Sequence, residues 1–170
     1  RDWSSDVCSS DLPCPRLATA QGQSERLWSI TGNEAAGLGA VRGGIRFVAA
    51  YPITPGTEVL EWLAPNLAKL GGVLVQAEDE LASINQIIGA SYAGVPSLTA
   101  TSGPGLALMT ESLGLAVASE TPITVVNVMR GGPSTGIPVK SEQSDLNIAL
   151  YGLHGDAPHL VVAPNSLADC

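Results

Sequence analysis

The stretch VLVQAEDELASINQIIGASYAGVPSLTAT, residues 73–101, decides the fold. It opens on a short aliphatic run, Val73 to Ala77, passes through a longer segment, Asp79 to Ala93, and closes on a second short run, Ser97 to Thr101. The two runs have the length and β-branched or aliphatic content of buried strands, and the segment between them has helical length with Gly94 as its C-terminal signal. Outward from this unit the same alternation continues. Strands are predicted at Ile45 to Ala50, Ile123 to Met129 and His159 to Ala163. Helices are predicted at Asn33 to Arg42, Thr57 to Leu70 (closed by Gly71-Gly72), Gly105 to Ala118 and Gln143 to Tyr151. Short apolar strands alternating with helices predict an α/β protein, an open, mostly parallel sheet with helices on both faces. Ligands of such sheets sit beyond the carboxyl ends of the strands, so the loops after each strand are the ones to read.

Composition supports one domain and narrows the partners. The chain has 170 residues, 45 % hydrophobic and 14 % charged, which excludes disorder and a coiled coil. Acidic residues outnumber basic ones 16 to 8, for a net charge of −8, so neither a nucleic acid nor an acidic partner is expected. No run of about 18 apolar residues suggests a membrane span, and no basic flank with an apolar run marks a secretory signal; a soluble, cytoplasmic protein is expected. Cys8, Cys14 and Cys170 lack the spacing of a metal or cluster site, and His154 and His159 stand five apart, off one helical face, so no resident metal is expected.

The ends read differently from the middle. Residues 1–12, RDWSSDVCSSDL, resemble the in-frame translation of a DNA sequencing adapter and are set aside as an artefact. Residues 13–29 are polar, with two prolines and no apolar face, and read as a linker or tail. The domain is expected over 30–170. It is expected to be incomplete at its C-terminal end, because the chain stops just after a strand-like run and a helix-start signal.

Four loops follow the strands. In Tyr51-Pro52-Ile53-Thr54-Pro55-Gly56-Thr57, two prolines hold the backbone around Thr54, whose hydroxyl either faces a ligand or is incidental to a helix entry capped by Thr57. In Gln76-Ala77-Glu78-Asp79-Glu80, acids stabilise a helix start. Glu78, nearest the strand, can instead project into the crevice and share a proton there. Thr101-Ser102-Gly103-Pro104-Gly105 is either a close packing turn or a set of backbone amides for an anion. It lacks the lysine of a P-loop, and no GxGxxG follows a strand. The segment from Arg130 to Lys140 reads as long and structureless; Arg130 at its start is either solvated or a bidentate clamp for a carboxylate.

The motifs YPITPGTE, QAEDE, TATSGPGLALMTE and RGGPSTGIPVKSEQSDL, in this order, together with the GNEAAGLGA entry and the Leu153-His154-Gly155-Asp156 turn, resemble the α subunit of 2-oxoacid:ferredoxin oxidoreductases, most of all the 2-oxoglutarate type. The resemblance spans about Ile30 to Cys170. It implies a pyrimidine-binding domain for thiamine diphosphate, with Glu78 at the aminopyrimidine, Pro52, Thr54, Ser102 and Gly103 near the cofactor, and Thr54 and Arg130 facing the substrate. It further implies oxidative decarboxylation of a 2-oxoacid to an acyl-coenzyme A, with electrons passed to ferredoxin. A partner β subunit would carry the diphosphate-binding domain, the Mg ion and the iron-sulfur cluster. Lys140 is a candidate for a second substrate carboxylate. An upstream domain, as in fused forms of the subunit, is expected to be missing, and the fragment alone is expected to be inactive. Gly56 stands where the family more often has serine, which removes a hydroxyl and loosens the turn. Pyruvate, branched-chain 2-oxoacids and indolepyruvate remain alternative substrates. A non-oxidative thiamine-dependent decarboxylase would use the same glutamate without ferredoxin. A non-catalytic domain would show Glu78 facing solvent and Arg130 pointing away.

Overall fold

The computed structural model describes residues 28–140 and 142–170. Helix α1 (Gly32–Arg42) leads into β1 (Phe47–Ala50), α2 (Thr57–Ala68), β2 (Val73–Gln76), α3 (Glu80–Tyr92), β3 (Ser97–Thr101), α4 (Gly103–Ala118), β4 (Thr124–Asn127) and α5 (Asp145–Tyr151). All four strands pair in parallel, in the order β2-β1-β3-β4.

Strand alternation sorts the core into two layers. Val48, Ala50, Leu98 and Ala100 face α2, where Val59, Leu60, Leu63 and Leu67 meet them, with Ala40 and Val41 of α1 and Trp62 packed beside. Ala49 faces the other way, onto Ile84, Ile87 and Ile88 of α3 and Met109 and Ala116 of α4. The order of the strands requires this division. From β1 the chain steps to β2 on one side, then back past β1 to β3 and on to β4. Crossovers of one hand that reverse direction must also change face, which puts α2 opposite α3 and α4. The reversal leaves a crevice at the carboxyl ends of β1 and β3, the place where ligands of open parallel sheets bind.

Local signals set the helix ends. Thr31 caps α1 in a reciprocal box: the Glu34 amide donates to Thr31 Oγ1 at 3.2 Å, and the Thr31 amide donates to Glu34 Oε2 at 2.7 Å. Asp79 caps α3 by accepting from the Ala82 amide at 2.6 Å. Gly71 and Gly94 follow their helices with positive φ, as expected of helix-ending glycines.

Three sequence expectations are corrected. Thr57 does not cap α2; Gly56 holds the cap position and Thr57 is the first helical residue. The segment from Arg130 to Lys140 is not structureless. Gly131 donates to Lys140 O at 2.8 Å and accepts from Ile137 at 2.9 Å, so the loop closes on its own first glycine. His159 to Ala163 forms no strand. An all-apolar run predicts burial on both faces, yet Leu160 is 95 % and Val162 82 % exposed. A cavity of about 890 Å³ separates this segment from β4. Pro158 and Pro164 bracket the run without amide donors, and His159 fastens it to α5 instead, with ring nitrogens 2.6 Å from Ala149 O and 2.8 Å from Ala157 O.

Candidate functional site

The loop after β1 is built tightly. Ile53 O accepts from the Thr57 amide at 3.0 Å. Asn33 of α1 donates from Nδ2 to Pro55 O at 3.3 Å and to Glu58 Oε2 at 2.7 Å, anchoring the loop from behind. Gly56 is buried; a Cβ there would lie 2.9 Å from Thr101 O. Glycine at this position therefore lets β3 approach closely and does not loosen the turn. Thr54, at the tip, is exposed.

Arg130, three residues past the end of β4, turns inward. It is 6 % exposed, and its Nη1 donates to Thr54 O at 2.9 Å, a contact spanning 76 positions of sequence. The guanidinium thus reaches across the end of β3 to the loop after β1. Its contact on Thr54 is the carbonyl, leaving the hydroxyl free of Arg130. Nε is buried with no partner among the described residues. Two further buried polar atoms near the same end of the sheet lack a partner: Ser102 Oγ, fully buried at the cap of α4, and Asn127 Oδ1, on the last residue of β4. Each such atom costs about 1–3 kcal/mol when left unmet, so this end of the sheet is where added polar partners would stabilise the fold most.

The turn Thr101-Ser102-Gly103-Pro104-Gly105 packs closely at both glycines. A Cβ at Gly103 would lie 2.2 Å from Asp145 Oδ1, and one at Gly105 would lie 2.1 Å from Thr101 Oγ1. The Asp145 carboxylate therefore lies against Gly103, the first residue of α4. Asp145, 5 % exposed, also accepts from Asn127 Nδ2 at 3.1 Å. The sequence reading did not single out Asn33, Asn127 or Asp145. The short spacing from SEQSDL to the loop closure offered no sign that Asp145 would return to β4 and α4.

Glu78 stands just past β2. The preceding amide, Ala77, donates to Ala50 O at 3.0 Å, which sets Glu78 beside the start of the Tyr51–Thr57 loop. The side chain is exposed and bonds neither Thr54 nor Arg130 among the described residues. Arg130 and Thr54 are brought together; Glu78 shares their end of the sheet and stays open to solvent in this chain. Of the two signs expected of a non-catalytic domain, a solvent-facing Glu78 is present and an averted Arg130 is not. Lys140 is exposed, and its backbone closes the loop. His159 carries a pKa raised above its ordinary 6.5, because carbonyls of Ala149 and then Ala157 sit at its ring nitrogens, an effect only partly opposed by burial.

Residues 38–170 match the family described as pyruvate flavodoxin/ferredoxin oxidoreductase, thiamine diphosphate-binding. The chain belongs to this family. The resemblance drawn from the four motifs is thereby borne out, and so is the α/β fold. Among relatives of the family, the 2-oxoglutarate synthase subunit KorA of Archaeoglobus fulgidus is 54 % identical over 140 residues, covering 82 % of this chain and 40 % of that protein. The 2-oxoglutarate oxidoreductase subunit KorA of Mycobacterium tuberculosis is 46 % identical over 146 residues, covering 83 % of this chain and 22 % of that protein. A solved structure, 2-oxoglutarate:ferredoxin oxidoreductase from Magnetococcus marinus with 2-oxoglutarate, coenzyme A and succinyl-CoA bound, superimposes with a TM-score of 0.81 at 61 % identity, over 83 % of this chain and 25 % of that one. The chain thus spans two fifths or less of the length of these family members. No described helix is long and apolar enough to cross a membrane.

Proposed function

We propose that this chain is the pyrimidine-binding part of the α subunit of a 2-oxoglutarate:ferredoxin oxidoreductase, which oxidatively decarboxylates 2-oxoglutarate to succinyl-coenzyme A in the cytoplasm and passes the electrons to ferredoxin. The observation that carries this reading is Arg130: a buried guanidinium at the switch point of the sheet, held by a neutral carbonyl and keeping a donor unused. A buried cation with no hydrogen-bonded carboxylate among the described residues is matched to an anionic ligand, and the carboxylate of a 2-oxoacid fits a planar donor pair.

Thiamine diphosphate fits the residues present in part. An exposed carboxyl at the end of β2 and a buried, unpaired Ser102 hydroxyl suit the polar edge of an aminopyrimidine. The diphosphate end does not fit here: the Asp145 carboxylate lies against Gly103 at the start of α4, where a phosphate would otherwise rest, and like charges would repel. We therefore assign the diphosphate, its Mg ion and the iron-sulfur cluster to a partner β subunit. When bound, the cofactor supplies a carbon nucleophile and a sink for the electron pair released with CO₂. With the cofactor bound, Glu78 would hold a proton at a ring nitrogen of the pyrimidine. Pro52 and the backbone of Ser102-Gly103 shape the wall beside it. Thr54 offers its hydroxyl to the oxo group, and Arg130 orients the adjacent carboxylate, so that the bond to be broken is held in place.

The test is the full-length subunit co-expressed with its β partner, assayed for viologen reduction with coenzyme A and each of several 2-oxoacids. Turnover that requires thiamine diphosphate and is fastest with 2-oxoglutarate supports the proposal. Turnover that favours pyruvate or a branched-chain acid overturns the substrate assignment, and decarboxylation without viologen reduction overturns the oxidative one.

A further inference from the structure

Asp145 is a buried carboxylate without a role in the reaction described above. It is the first residue of α5, a short helix that follows the closed loop. One carboxylate oxygen accepts from Asn127 Nδ2 at 3.1 Å. The other lies so near Gly103 that any side chain at that position would collide with it. Asn127 ends β4, three residues before Arg130; Gly103 begins α4, one residue after Ser102. A buried aspartate costs more than an amide or a leucine of similar size, so packing alone does not account for it. It lies beside the N-terminal end of α4, a helix of 16 residues whose positive end favours a carboxylate there. The neighbours on either side, Arg130 Nε and Ser102 Oγ, are the donors left unmet, and Asn127 keeps its Oδ1 unmet as well.

We infer that Asp145 is a positioning residue for 2-oxoacid binding: by tying the end of β4 to the start of α4 it fixes the separation of Arg130, which receives the substrate carboxylate, and Ser102, which lines the cofactor wall beside it. This rests on the proposed reading of Arg130 as the carboxylate clamp. Asp145 touches no substrate atom in this scheme and acts through the two backbone segments it joins.

The experiment uses the assembled enzyme and two readouts, the KM for 2-oxoglutarate and the dissociation constant of glutarate by calorimetry, glutarate having the carboxylates without a reactive oxo group. Asp145→Ala is expected to weaken both about tenfold while kcat changes far less, the size of one lost charge-assisted hydrogen bond. Asp145→Asn, which can still bond Asn127, is expected to restore most of the affinity. In an Arg130→Ala background, Asp145→Ala is expected to add less than about twofold, because the two act on one binding term. Unchanged glutarate affinity in Asp145→Ala, or fully additive losses in the double variant, would overturn the inference and leave Asp145 a residue of stability alone. Should Asp145→Ala fail to assemble, Asn127→Ala removes the other end of the tie, and the same two outcomes decide. If Arg130→Ala itself leaves glutarate binding unchanged, the clamp reading fails; if Arg130→Ala weakens binding and Asp145→Ala does not, only the present inference fails.

Discussion

The guanidinium of Arg130 donates to the carbonyl oxygen of Thr54 at 2.9 Å, fastening the end of β4 to the loop after β1 across the carboxyl end of β3. This single bond holds two loops at the switch point and leaves Nε without a partner among the described residues. In the assembled enzyme, Arg130→Gln is expected to raise the KM for 2-oxoglutarate by roughly 10- to 100-fold, the loss of about 1.5–3 kcal/mol from a charged hydrogen-bonded contact. Arg130→Lys keeps the charge and loses the planar donor pair, so an intermediate KM is expected. Initial rates of viologen reduction against substrate concentration measure both.

Lys140 distinguishes a dicarboxylate from a monocarboxylate if its ammonium meets the second carboxyl group. Lys140→Ala is then expected to raise the KM for 2-oxoglutarate several-fold, the effect of about 1 kcal/mol at an exposed cation, and to leave the KM for pyruvate unchanged. Equal effects on the two substrates would remove Lys140 from the site.

His159 gives a pH dependence with a fixed sign. Carbonyls at both ring nitrogens favour the form that donates from both, which raises its folded pKa above 6.5. Its contribution is therefore fully present below pH 6.5 and is lost as the pH rises through the folded value. Because the ring is exposed, the effect is local and small. The expected result is that hydrogen exchange at residues near His159 quickens as the pH rises from 6 to 8, and that His159→Gln abolishes this dependence.

Leu63, fully buried between α2 and the sheet, is a test of the first core layer. Leu63→Ala removes the side chain and leaves a cavity, for an expected loss of about 2–5 kcal/mol in chemical denaturation. A loss below about 1 kcal/mol would mean that the α2 layer collapses into the space.

Much of this fold was legible because α/β patterning is local. Val73–Gln76 and Ser97–Thr101 were placed by their aliphatic runs, and α3 by its length and Gly94. The capping box of Thr31 and Glu34 was also written in the sequence, its cap residue two positions before the predicted start of α1. The failures are non-local. His159–Ala163 has a strand's composition, but a strand needs a neighbour, and composition does not say whether β4 will be within reach. The closure of the loop at Gly131 depends on partners six and nine residues away. In the site, Arg130 and Thr54 were singled out by residue type beside strand ends, and the bond joining them rests on the sheet order. Asp145 escaped notice because an acid at a helix start already has an ordinary explanation.

Glu78 is where the chemistry and the fold meet most openly: exposed at the end of β2, it is free to be covered by a cofactor held from another subunit. Glu78→Gln preserves size and removes the proton, and an exposed position makes unchanged thermal unfolding the expected control. The decisive measurement is the rate of 2-oxoglutarate-dependent viologen reduction by the assembled enzyme carrying Glu78→Gln at saturating thiamine diphosphate. A fall of at least about 10²-fold is the expected result for loss of a proton-transfer group; a rate equal to the unsubstituted enzyme would contradict the assignment of this chain as the pyrimidine half of the site.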